Sequence, residues 1–173
     1  VTIVDIDEKS ISKIGQFPWR RDIYSKILKN LNLHDPKAIA FDIVFSEEDK
    51  QNPKDLLSKL QLESDQLIDI DVIDTNKIFI NSIKNSKVIL PILGEPKDNF
   101  VKNNSKPKLK IIAKGENPKN FIYKFKNKII SLEEISSAAS GIGSISLIQG
   151  IDGVIRSVPV LYNIDDKIWP SLA

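Results

Sequence analysis

Ala38-Ile39-Ala40-Phe41-Asp42-Ile43-Val44-Phe45 sets one carboxylate among seven apolar residues. A run this short and this rich in Ile, Val and Phe reads as a strand buried on both faces. Burying a polar group without a partner costs roughly 2–7 kcal/mol, and a bare charge costs far more. The fold is therefore expected to give Asp42 a partner, neutralise it, or place it at an opening. Each outcome makes it a candidate site residue.

On the N-terminal side of that run, residues 1–7 alternate well enough for a strand, and Asp5 and Asp7, two apart, share a face. Residues 8–14 suit a short helix with Ile11 and Ile14 inward, stopped by Gly15. Phe17-Pro18-Trp19-Arg20-Arg21 follows as a stiff aromatic and basic turn. Over residues 22–33, Ile23, Tyr24, Ile27, Leu28 and Leu31 form one apolar stripe at helical spacing, ended by His34-Asp35-Pro36. Strand, helix, strand with short links predicts a βαβ crossover and a parallel pair. Ligands collect beyond the carboxyl ends of such strands, where Asp5, Asp7 and Asp42 are expected to converge.

On the C-terminal side, residues 46–85 read as helical with an acidic surface and Pro53 in a first turn. Val88-Ile89-Leu90-Pro91-Ile92-Leu93 is a compact apolar strand, and its proline argues for a strand end or an edge. Residues 94–128 are rich in Lys and Asn, with weak strand candidates at 109–113 and 121–125. They form the expected insertion or variable loop region. A helix over 132–140 leads through Gly141-Ile142-Gly143 to a strand at 144–148. Asp152-Gly153 is a two-residue turn signal, and 154–163 is the returning strand. The fold class expected is α/β: a mixed, mainly central sheet with a βαβ start, flanking helices and a C-terminal antiparallel hairpin. All 173 residues are read as a single domain.

Composition narrows the chemistry. Hydrophobic residues make up 41% and charged residues 28%, an ordinary globular balance, and a net charge of +2 gives no footprint for nucleic acid. Without cysteine, disulfides, thiolate nucleophiles and cysteine zinc sites are excluded. His34 is the only histidine, which excludes multi-histidine metal sites. No apolar stretch reaches the eighteen or so residues of a membrane span, and no signal peptide is visible. Residue 1 opens directly in strand-like sequence, and Ile168-Trp169-Pro170-Ser171-Leu172-Ala173 stops where a helix is expected to start, so both ends read as cut from a longer chain.

Two constellations carry possible chemistry. Asp5 and Asp7 with Asp42 could hold a divalent cation, since hard cations take carboxylate oxygens. That pattern also suits a small magnesium-dependent phosphohydrolase or nuclease. The plainer reading pairs these acids with Arg20, Arg21 or Arg156, or has them cap nearby helix N-termini. In the turn at 17–21, Phe17 and Trp19 either line a recognition lip or plug the core while an arginine neutralises buried acid. Gly141-x-Gly143 follows a helix and precedes a strand, the reverse of a phosphate-binding loop, and is rejected as one.

Taken in order, these segments resemble a known family. Ile6-Asp7-Glu8, Ile14-Gly15-Gln16-Phe17-Pro18-Trp19-Arg20-Arg21 and the Asp42 run come first. Val88-Ile89-Leu90-Pro91, residues 143–148, Asp152-Gly153-Val154-Ile155-Arg156-Ser157-Val158-Pro159 and Trp169-Pro170-Ser171-Leu172-Ala173 follow. Together they resemble the second class of CHASE domains, sensory extracellular domains associated with cyclases and histidine kinases; only 94–128 departs from the pattern. The resemblance implies a non-catalytic domain outside the cytoplasmic membrane, after one membrane helix and before several more. It also implies a cytoplasmic output domain in the same chain: a nucleotide cyclase, histidine kinase, serine/threonine kinase or diguanylate cyclase. The partner expected is a small molecule or an extracytoplasmic protein, without cofactor or nucleic acid, and a homodimer or a purely structural role is left open. The residues expected to form a ligand-binding or structural charge cluster are Asp5, Asp7, Trp19, Arg20, Asp42 and Arg156.

Overall fold

The computed structural model describes residues 1–59, 72–96 and 103–172. Helix α1 (Glu8–Ile14) starts where the Asp7 side chain accepts from the Ser10 amide at 2.8 Å. It stops at Gly15, whose φ of +113° a side chain rarely adopts. Helix α2 (Arg21–Asn32) buries Tyr24, Ser25 and Leu28, with Ile23 and Ile27 packed alongside. Strand β1 (Ile39–Ala40) and helices α3 (Pro53–Lys59) and α4 (Thr75–Lys84) precede β2 (Val88–Glu95). A 3-10 turn (Pro118–Asn120), β3 (Lys124–Phe125), β4 (Asn127–Ile130), α5 (Glu133–Ala138), β5 (Gly141–Ser144), β6 (Leu161–Ile164) and β7 (Lys167–Pro170) complete the described elements. The protein is mixed α/β, as expected from its sequence.

β2 organises the first sheet. It pairs parallel with β1 (Ile39↔Val88) and with β5 (Ile89↔Gly141), and antiparallel with β4 (Ile92↔Ile130). The second sheet has the order β3-β6-β7. Two buried clusters result, and β2 contributes to both. Val88 and Leu90 pack with α2, α4 and α5, whereas Ile92 packs with Ile130, Ile142, Tyr162, Ile164 and Trp169.

Pro91 lies inside β2, not at an end or an edge. Hydrogen-bond direction explains why it is tolerated. Ile89 O accepts from Phe41 N at 3.0 Å on the β1 side, while Val88 O and Ile92 O accept from Ser140 N and Ile145 N on the β5 side. Odd positions therefore face β1 and β4. Pro91 falls at the step where β1 has ended and β4 has not yet begun, so its missing N–H removes no ladder bond.

The same handover shortens the Asp42 run. Only Ile39 and Ala40 are strand. Phe45 turns away from β2, its N–H donating to Ser131 Oγ at 3.1 Å and its carbonyl accepting from Leu132 N at 2.9 Å. Phe41 and Phe45 are buried and Asp42 is exposed, so the run is covered on one face, not two.

Three further expectations change. Residues 1–7 are not a strand: they pair with no ladder, Ile3 and Val4 are exposed, and only Ile6 packs on the core. The parallel crossover therefore runs from β1 through α3 and α4 to β2. Ile14 is exposed, leaving Ile11 alone to face inward from α1. The C-terminal hairpin is β6–β7, turning at Asp165 and Asp166 with φ of +53° and +54°, the backbone of a type I′ turn. Asp152-Gly153 does turn, with Gly153 N donating to Gly150 O at 2.9 Å, but residues 145–150 and 154–159 are not strands. β5 begins at Gly141 instead of residue 144, and 169–170 belong to β7 instead of a helix start. The strand expected at 109–113 is absent, and of 121–125 only Lys124–Phe125 is strand. Part of the segment 46–85 lies outside the described residues, as does part of 94–128.

Gly143 shows how closely the chain ends pack on β5. A Cβ there would lie 2.9 Å from Leu172 Cα and 3.0 Å from Ser171 O. Those are backbone atoms, held by Leu172 N donating to Ser144 O at 2.8 Å. Gly143→Ala is expected to destabilise the domain by about 1–3 kcal/mol in urea unfolding, the range for overpacking a close-fitting site. An unchanged midpoint would mean that the chain after β7 does not dock there.

Candidate functional site

The turn at 17–21 becomes a lip because its aromatic residues divide their roles. Trp19 is buried, its indole N–H donating to Gly15 O at 2.7 Å and its ring 6.4 Å from Tyr24. Phe17 leans edge-on against Trp19 and stays 40% exposed. The Phe17–Pro18 peptide is cis. Arg20 turns outward into a bidentate pair with Asp22 (Nε–Oδ1 2.6 Å, Nη2–Oδ2 2.9 Å). Arg21, the first residue of α2, turns inward and is 8% exposed.

Arg21 meets the loop that follows β1. Its backbone N–H donates to Asp49 Oδ2 at 2.9 Å, and its Nη2 donates to Glu47 O at 2.8 Å. The guanidinium carbon sits 4.4 Å from the centre of the Phe45 ring, a cation–π stack. Nε has no hydrogen-bond partner among the described residues. Burial pushes the Arg21 pKa down, partly opposed by the field of Asp49.

Asp49 is itself buried and fully engaged. Besides the Arg21 amide it accepts from Thr75 Oγ1 at 2.8 Å and Gln51 N at 3.0 Å. Asn52 continues the network: its Oδ1 accepts from Thr75 N at 3.1 Å and its Nδ2 donates to Asp55 at 3.0 Å. The Asp74 side chain accepts from Lys77 N at 3.2 Å to cap α4. The starts of α2 and α4 are thereby fixed to one loop.

Between the lip and this loop lies a cavity of about 520 Å³, lined by Phe17, Trp19, Arg21, Tyr24, Asp42 and residues 43–51. A second cavity of about 490 Å³ lies beside it, lined by Val4, Asp5 and Ile6 against Ile39, Phe41 and Asp42. Phe17, Tyr24, Asp42 and Ile43 line both, so the lip abuts the N-terminal segment.

The residues expected to form one charge cluster are not drawn into one. Trp19 and Asp42 share the larger cavity, and Asp5 and Asp42 share the smaller. Asp7 caps α1, bonded to the Ser10 amide and hydroxyl. Arg20 is occupied by Asp22, and Arg156 by Asp152 in the exposed turn (Nη1–Oδ1 2.9 Å, Nη2–Oδ2 2.6 Å). Both arginines found a carboxylate two or four residues away, which leaves nothing to pull them toward the sheet. Among the described residues no group of three His, Cys, Asp or Glu side chains could hold a metal ion, so Asp5, Asp7 and Asp42 do not assemble the carboxylate site of a magnesium enzyme. Asp49 is the acid the sequence reading missed. It sits in Glu47-Glu48-Asp49-Lys50, which resembles a solvated charge run; the one signal was Asn52-Pro53 just beyond it, a helix-start pair.

A family model described as the CHASE2 domain matches residues 1–173. No curated protein and no solved structure gives a significant match. The match covers the whole chain, and the chain belongs to the CHASE2 family, extracellular sensory domains found in cyclase and kinase signalling proteins. Among the described residues no helix is long and apolar enough to cross a membrane.

Asp49→Ala leaves the Arg21 amide and the Thr75 hydroxyl without their acceptor and is expected to cost about 2–4 kcal/mol in urea unfolding. Asp42→Ala, at an exposed position, is expected to stay within about 0.5 kcal/mol of wild type. Equal effects would show that the buried network does not carry the loop. The Arg20 hydrogen bonds hold the Asp22 carboxyl below its usual range. The stability this supplies is present above the unfolded-state value, about pH 4, and is lost as pH falls through the lower folded value. Urea titrations from pH 6 down to about 2.5 are therefore expected to show a shallower acid loss for Asp22→Asn than for wild type.

Proposed function

We propose that this CHASE2 domain is the extracytoplasmic signal-input module of a membrane-bound bacterial receptor. Its output domain is an adenylate or guanylate cyclase or a histidine kinase in the same chain, reached through flanking membrane helices. The domain itself is non-catalytic: it binds a small molecule or an extracytoplasmic partner at the lip cavity. The observation that carries this reading is the family match over the whole chain.

The geometry supplies a route for the signal. Occupation of the lip cavity bears on Asp42 and Ile43, which also line the cavity against residues 4–6. Those residues are held by no ladder, so their position is set by side-chain packing alone. A ligand shifts an output equilibrium only by its differential affinity for the two states, and about 1–3 kcal/mol of coupling is typical.

Because residues 1–173 have no cysteine, a thiol introduced there reports on this domain, with the unsubstituted receptor as the blank. Ile151→Cys, at a fully exposed turn, is to be expressed in the full-length receptor and treated in intact cells with a membrane-impermeant maleimide. Labelling without permeabilisation is expected. Labelling only after the cells are opened would overturn the extracytoplasmic assignment.

A further inference from the structure

Arg21 is a buried cation without an ion-pair partner among the described residues. Its guanidinium lies within salt-bridge distance of no carboxylate among the described residues, because Asp49 bonds its backbone amide instead. Nη2 reaches a neutral carbonyl, and Nε, buried out of solvent contact, has no hydrogen-bond partner among the described residues. A buried charge left unpaired is strongly unfavourable, and a guanidinium that lines a cavity is the side chain best matched to a carboxylate. Apart from Lys50, the rest of the charged lining is acidic. Glu47 is taken by Lys50 at 2.9 Å and Asp49 by its three donors, which leaves Asp42 and Glu48 exposed with no partner among the described residues. Such a lining repels a multiply charged anion, while a simple amine would leave Arg21 unpaired.

We propose that the cavity between the turn at 17–21 and the loop at 42–51 binds a zwitterionic α-amino acid, with its carboxylate on Arg21 and its ammonium toward Asp42 and Glu48. This ligand class rests on the sensor reading above and deepens it. Phe17, Ile43 and Val44 supply an apolar wall for the side chain. The volume of about 520 Å³ is within the usual range for small-molecule pockets and ample for one amino acid.

The test is calorimetric titration of the purified domain with each of the twenty standard L-amino acids in turn. The carboxylate-only and amine-only analogues of any binder, 4-methylpentanoate and isoamylamine in the case of leucine, and inorganic phosphate serve as comparisons. At least one amino acid is expected to bind, and each single-charge analogue roughly tenfold or more weaker. Arg21→Met is expected to abolish the heat. The double variant Asp42→Asn, Glu48→Gln, at exposed positions that leave the fold intact, is expected to bring amino-acid binding down to that of the carboxylate analogue. Thermal melts of both variants confirm that they are folded. No binding by any of the twenty below about 10 mM, binding undiminished in folded Arg21→Met, or equal binding of the amine would each overturn the proposal. None of these outcomes bears on membrane placement, which the maleimide labelling decides separately.

Discussion

The Asp49 carboxylate is the constraint on which the N-terminal half depends. Three segments far apart in sequence donate to it: the first amide of α2, the hydroxyl that opens α4, and its own loop. Hydrogen bonds to a charged group contribute about 1.5–3 kcal/mol each, so their loss would be large for a domain of this size. Their geometric effect matters as much. Tyr24 of α2, Phe45 of the loop and Phe79 of α4 meet beneath this network at ring distances of 5.1 Å (Tyr24–Phe45), 5.8 Å (Tyr24–Phe79) and 4.9 Å (Phe45–Phe79). Edge-to-face packing is sensitive to such distances, and the polar network above holds the register that produces it.

The second organising feature is β2. Its first half belongs to the aromatic cluster and its second half to the cluster around Tyr162 and Trp169. A strand shared in this way makes the two cores one mechanical body. Pro91 at its centre marks the change of neighbour from β1 to β4. The Asp42 run leaves the sheet there, and the loop it enters becomes the wall of the cavity. Site and fold thus share one cause: β4 takes the flank of β2 that a longer β1 would have used.

Much of this was legible in the sequence where periodicity and burial agree. The stripe at Tyr24 and Leu28 forecast α2, and the apolar run at 88–93 forecast the central strand. The readings that failed did so where a partner decides the outcome. Residues 1–7 alternate like a strand, but no neighbour offers a ladder. Apolar neighbours of Asp42 suggested burial on two sides, yet the run is covered on one. Turn chemistry misled at Asp152-Gly153, because a turn makes a hairpin only if the flanking segments can pair; Asp165-Asp166, with less obvious residues, made it instead. At the site, Trp19 as a core plug was anticipated, but an arginine neutralising buried acid is not what forms: Arg21 turns inward, yet its backbone amide and not its guanidinium meets Asp49. Arg20 and Arg156 met carboxylates close in sequence. Asp49 was hidden by its charged neighbours: nothing local separates a buried acid from a solvated one when its donors come from residues 28 and 26 positions away.

The claim that Asp49 fixes the lip is tested most directly by native-state hydrogen exchange at the Arg21 amide. First-turn helix amides have no intrahelical acceptor, so protection at this position must come from the Asp49 carboxylate. The account predicts an opening free energy for Arg21 N–H close to that of global unfolding, matching the core amides of β2. Exchange of Arg21 N–H at the rate of an unprotected loop amide, with β2 still protected, would contradict it.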